Sequence, residues 1–182
     1  ILELNPAFPT VNDVVTITYD ATQGNAALVG QSQIYCHAGL ITSASTSPTN
    51  WQFVQGNWGT VDPEVAMTNI GNNKHTITID IDQFYGFPAG TNVLKLAFVF
   101  RNASGNIVGR AADGSDIYYD MYPVNAGLLA SFFHPSAGTI LDINEVLSID
   151  AAANQTSTLT LKEDGQILQT LTNATQLSYN LT

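Results

Sequence analysis

Apolar and polar residues alternate with a period of two along most of this 182-residue chain. VVTITYD (Val14 to Asp20) alternates. HTITIDID (His75 to Asp82) puts Ile77, Ile79 and Ile81 on one face. VLKLAFVF (Val93 to Phe100) turns Leu94, Leu96, Phe98 and Phe100 inward and Lys95 outward. That period belongs to strands with one buried face. SDIYYDMY (Ser115 to Tyr122) reads as a further strand. Turn signals separate the runs: GNN from Gly71, PAG from Pro88, ASG from Ala103 and DGS from Asp113. The pattern predicts no amphipathic helix beyond a turn or two, and DQFYG (Asp82 to Gly86) is one such turn. Many short strands at regular spacing predict a β-sandwich.

A boundary falls within MYPVN, Met121 to Asn125. The expected fold class is therefore all-β, with two tandem β-sandwich (immunoglobulin-like) domains over residues 1–122 and 123–182. In the second, the Asp-Gly of EDGQ (Glu163 to Gln166) marks a tight hairpin between LTL and ILQTL. This segment has room for about five or six strands, where an immunoglobulin-like domain has about seven. It ends on strand-like LSYNLT, so it reads as truncated, with the native chain continuing past Thr182.

Composition narrows the partners. Charged residues are 11% of the chain, and Asn, Thr, Ser, Gly and Gln take their place. Such a surface suits neutral polar ligands. The formal net charge is −10, and Lys74, Lys95, Arg101, Arg110 and Lys162 are scattered. A nucleic acid or an anionic membrane needs clustered cations, so neither is an expected partner. No run of about 18 apolar residues predicts a spanning helix. Cys36 is the one cysteine, which excludes an intrachain disulfide and a cysteine-based zinc site.

The stretch QIYCHAGLITS (Gln33 to Ser43) holds the densest candidate chemistry. Cys36 and His37 are neighbours on a strand, so they point to opposite faces and form no nucleophile–base pair. Cys36 reads as a small core residue. His37, His75 and His134 have no zinc-site spacing. Asp113, Asp116 and Asp120 crowd one turn and strand. They read as solvated turn acids, with a calcium site as the alternative, because calcium takes several oxygens from loops. No other cofactor is expected, and no catalytic constellation emerges. Tyr35 and His37 share a face. Trp51 follows in a polar, exposed setting, while Trp58 is open between a core anchor and an exposed ring. Rings bordered by amides and hydroxyls suit a neutral sugar.

The ordered motifs IYCHAG, NWGT, GNNKHTITI, FYGFPAG, LKLAFVFRNASGNIVGR and DGSDIYYDMY carry a resemblance over Leu2 to Tyr122. The segment resembles an N-terminal module of secreted Bacteroidetes proteins that are α-amylase-type glycosidases of glycoside hydrolase family 13. More distantly, it is similar to the starch-binding carbohydrate-binding module families 25 and 26. The resemblance implies a secreted or cell-surface, non-catalytic accessory region that binds starch-like α-glucan, with a C-terminal catalytic domain in the same chain. Tyr35, His37 and Trp51 would be the sugar platform. His75 would replace a further aromatic, and Lys74 would reach sugar hydroxyls. The alternative expectation is a structural spacer or docking module with no sugar site.

Overall fold

The computed structural model describes residues 1–135, 139–140, 142 and 144–181. Close contacts divide the chain into two units, Ile1–Val124 and the segment from Asn125 onward. The described structure is all-β, and its sheets are antiparallel.

The first unit carries β1 (Leu2–Asn5), β2 (Val14–Asp20), β3 (Tyr35–Thr42), β4 (Gln52–Gln55), β5 (Thr68–Gly71), β6 (Lys74–Asp80), β7 (Val93–Arg101), β8 (Val108–Gly109) and β9 (Ile117–Asp120). One sheet has the order β1-β2-β6-β5. The other runs β4-β3-β7-β8, with β9 also paired to β7. Val15, Ile17 and Tyr19 from the first sheet share a core with Cys36, Ala38, Leu40, Leu96, Phe98 and Phe100 from the second. Tyr19 stacks on Phe100, ring centroids 4.0 Å apart. Two sheets over one core make a sandwich-like arrangement.

Two local departures from strict alternation have physical causes. β6 stops at Asp80, whose carboxylate accepts from the Gln83 backbone N–H at 3.1 Å and caps the short helix α1 (Ile81–Tyr85). Gly86, at φ 61°, ends that turn in the left-handed region. Leu94, predicted inward, is instead exposed. Ile41 pairs with Lys95 and Thr42 with Val93, so Leu94 is the extra residue of a bulge, and Val93 takes the inward place.

The second unit has β10 (Ala130–His134), β11 (Leu147–Glu163) and β12 (Gln166–Leu181) in that sheet order. Asp164 and Gly165 both have positive φ, the primed geometry the Asp-Gly pair predicts for a two-residue hairpin. The described residues form three strands rather than five or six, because the polar stretch Asn154 to Ser157 does not break β11. It stays extended, and the register shifts between Ala152 and Ser157. Leu147 and Glu163, at opposite ends of β11, would stand on the order of 50 Å apart in a straight strand. They line one groove with Leu168 and Leu181, so the ribbon folds back on itself. Ile149 and Leu161, on either side of the shift, then join one small core with Leu177. Leu141, Ile143 and Thr182, on which parts of the expected second domain fall, lie outside the described residues.

Candidate functional site

The pleat of β3 sorts QIYCHAGLITS. Cys36 enters the core, and burial pushes its thiol up to about 12. His37 points the other way. Its Nδ1 lies 2.8 Å from the Gly56 carbonyl. A carbonyl only accepts, so Nδ1 carries the proton and Nε2 is left for another partner. Gly56 is needed for this contact: its φ is +90°, and a Cβ there would come within 2.8 Å of the Cys36 carbonyl oxygen.

Trp51 lies across the same outer face. It covers Gly39, where a Cβ would stand 2.9 Å from Trp51 Cε3. The Trp51 and His37 ring centroids are 5.9 Å apart, with their planes 30° apart. The Trp51 indole N–H is buried with no hydrogen-bond partner. Burial raises the pKa of the nearby Tyr118 hydroxyl, with the Trp51 indole N–H opposing without meeting hydrogen-bond geometry. The Tyr118 hydroxyl instead donates to the Pro48 carbonyl at 2.9 Å, tying the loop before Trp51 to β9.

Trp58 forms a second wall and is 46% exposed. Its ring centroid is 5.3 Å from that of His37, at 88°. Together with the 30° between His37 and Trp51, this sets the two indoles at least 58° apart. The rings therefore form a corner, not a flat sheet. Gly105 lies against Trp58, and a Cβ there would come 2.7 Å from the indole nitrogen.

Thr49, Asn50, Val54, Val99, Arg110 and Asp116 complete this groove of about 380 Å³. Arg110 donates to Asp116 in an ion pair. The backbone of Arg110 is itself held: its N–H donates to Asn25 Oδ1 at 3.2 Å, and its carbonyl accepts from the Asn25 N–H at 3.0 Å. A short aromatic groove thus has one preorganised charged end whose net charge is near zero.

The expected site residues divide. The groove gathers His37 and Trp51. Tyr35 does share the His37 face, but it is only 5% exposed, because its cross-strand partner Arg101 lies over its ring, 5.0 Å from the centroid. It is corrected from platform residue to core. His75 is likewise corrected. It is fully buried, sharing the inward face of β6 with Ile77 and Ile79, and neither ring nitrogen has a hydrogen-bond partner. Desolvation lowers its pKa, with nearby backbone of Ser32, Asn73 and Gln31 opposing. Lys74, on the opposite face of β6 and outside the groove, pairs with Glu3 at 3.5 Å.

The three calcium candidates have separate engagements. Asp113 accepts from Ser115 N and Oγ at 2.9 and 2.7 Å, Asp116 pairs with Arg110, and Asp120 takes Lys95 Nζ at 2.6 Å. Among the described residues no cluster of three His, Cys, Asp or Glu is placed to hold a metal.

Sequence reasoning missed the groove roles of Arg110 and Asp116 and left Trp58 undecided. The one local signal was NWGT, which sets Trp58 on a glycine turn. Arg110 meets the aromatics only through β7 and the loop beyond it, which no spacing reveals.

The class defined by these features is an all-β, sandwich-like fold with an aromatic groove on one outer sheet face. Within it, the chain belongs to the family described as a domain of unknown function, DUF8578, whose model matches residues 2–108. That match includes His37, Trp51, Trp58 and Arg101, while Arg110 and Asp116 lie beyond it. No curated protein matches the chain.

Proposed function

We propose that the first unit is a non-catalytic carbohydrate-binding module that takes a neutral, curved glycan of the α-glucan type in the His37–Trp51–Trp58 groove. The observation that carries this reading is the corner formed by the two indoles, with Trp58 46% exposed. A sugar stacks its C–H face on an aromatic ring, and rings at a steep angle suit a chain that turns between successive residues. Coplanar rings would suit a straight one. His37 Nε2, Asn50 and Thr49 supply polar partners for hydroxyls. The paired Arg110 and Asp116 add a donor and an acceptor with little net field.

On this reading the chain is an accessory region of a secreted or cell-surface α-amylase-type glycosidase whose catalytic domain lies elsewhere in the same polypeptide. It raises the local concentration of substrate at that domain. The first unit is then a carbohydrate-binding-module-like sandwich, and the folded-over ribbon is part of an immunoglobulin-like domain. One shallow site of this kind binds at about 0.1–1 mM, or about 4–5.5 kcal/mol.

A second reading, a spacer or docking module without a sugar site, draws support from the burial of Tyr35 and His75, which removes two expected platform residues. Electrophoresis in native gels containing glycogen separates the two. The first reading expects retardation that Trp58→Ala and Trp51→Ala each lose. Equal mobility with and without glycogen would support the spacer.

A further inference from the structure

Arg101, the last residue of β7, is fully buried, yet no carboxylate pairs with it among the described residues. Its Nη1 donates to the Asn102 and Ala103 carbonyls at 3.0 and 3.1 Å, and its Nη2 donates to the Asn57 carbonyl. The guanidinium plane also covers Tyr35 and lies 6.0 Å from the Trp58 ring centroid. Its Nε has no partner. Burying a cation without a contacting carboxylate has a desolvation cost that its hydrogen bonds and the nearby Asp62 charge only partly offset, and an apolar residue of similar size would cover Tyr35 without that penalty.

What an arginine adds is a rigid fork of donors that reaches two separate loops at once. Both loops belong to Trp58. Asn57 precedes it, and the turn from Asn102 to Gly105 lies against its ring. Asn57 is also gripped from its other side: its backbone N–H and side-chain amide donate to Asp62 Oδ2 at 2.9 and 3.2 Å. The peptide groups on either side of the Asn57 Cα are therefore both fixed by charged side chains.

We propose that Arg101 is a positioning residue that, with Asp62, clamps Asn57 and holds the exposed Trp58 rigid as a wall of the ligand groove. The binding part of this proposal rests on the reading of the groove as a glycan site; the clamp itself does not. A wall already ordered before binding spares the ligand the cost of ordering it, so loosening the clamp weakens binding by roughly three- to tenfold.

The test uses the full chain and two readouts. In a Trp51→Phe background, Trp58 is the sole tryptophan, and its time-resolved fluorescence anisotropy reports its local motion. In the natural background, titration with maltoheptaose reports affinity. Arg101→Met is expected to add nanosecond motion at Trp58 and to lose three- to tenfold in affinity, with Arg101→Lys restoring part of both. Asp62→Ala is expected to shift both the same way, less far. In a Trp58→Ala background the Arg101 variants are expected to bind alike. A folded Arg101→Met with unchanged Trp58 anisotropy overturns the clamp. If Arg101→Met does not fold, unchanged anisotropy in Asp62→Ala overturns it instead. If the natural chain binds no maltoheptaose, the glycan reading fails, while the anisotropy arm still decides the clamp.

Discussion

The guanidinium of Arg101 lies over the ring of Tyr35, its cross-strand partner, 5.0 Å from the centroid. This contact divides the outer face of β3 in two. Below it Tyr35 is sealed into the core. Beyond it His37 stays open between Trp51 and Trp58. Replacing the guanidinium with an apolar side chain keeps Tyr35 covered but frees the Asn57, Asn102 and Ala103 carbonyls at once. Arg101→Met is therefore expected to lower stability by about 1–3 kcal/mol through unsatisfied polar groups, read as a lower urea midpoint with an unchanged slope.

Gly39 sets the depth of the groove. A Cβ there would stand 2.9 Å from Trp51 Cε3 and 3.0 Å from its Cβ, so either the indole or the strand must shift. Gly39→Ala is expected to destabilise the first unit by about 1–3 kcal/mol, as overpacking does. It should also displace Trp51, read as a changed tryptophan emission maximum. A variant as stable as the natural chain, with the same emission, would contradict the packing described.

The Arg110–Asp116 pair is partly solvent-exposed, and such pairs contribute about 0–1 kcal/mol to folding. Arg110→Gln is expected to leave thermal stability nearly unchanged while weakening maltoheptaose binding about threefold or more. Equal losses in both measurements would make the pair a structural brace and not a part of the groove.

His75 makes stability depend on pH. Burial lowers its folded-state pKa below the ordinary value of 6.5, so the unfolded chain takes up the proton more readily. Stability from this source is complete above about pH 6.5 and falls as pH drops below it, until the folded-state pKa is also passed. The urea midpoint is expected to fall between pH 7 and 5, and His75→Leu is expected to reduce that fall. A parallel decline in both proteins would remove His75 as its cause.

β2 and β6 were legible because each buries one face, and alternation reports that directly, whereas β7 is buried on both faces from Leu96 to Arg101. The same alternation held a warning about His75, which shares its parity with Ile77 and Ile79 and lies inward with them. The burial of Tyr35 was not legible. Parity sets its face correctly, but its cover comes from Arg101, 66 positions away in the sequence. Periodicity does not report which outer faces another loop closes. For the same reason Arg110 and Asp116 escaped notice as groove residues, since sheet pairing and the Asn25 contacts bring them there. The bend in the second unit was hidden because its polar residues resemble a turn, while the backbone passes through them in an extended bulge.

We propose that the corner of His37, Trp51 and Trp58 binds a curved glycan. Isothermal titration of the full chain with maltoheptaose, beside a cellulose-derived oligosaccharide of similar length, tests it most directly. The α-linked chain is expected to bind at about 0.1–1 mM, the β-linked one more weakly, and Trp58→Ala is expected to lose about tenfold or more with the fold intact. No heat with either sugar, or full retention of affinity in Trp58→Ala, would contradict it.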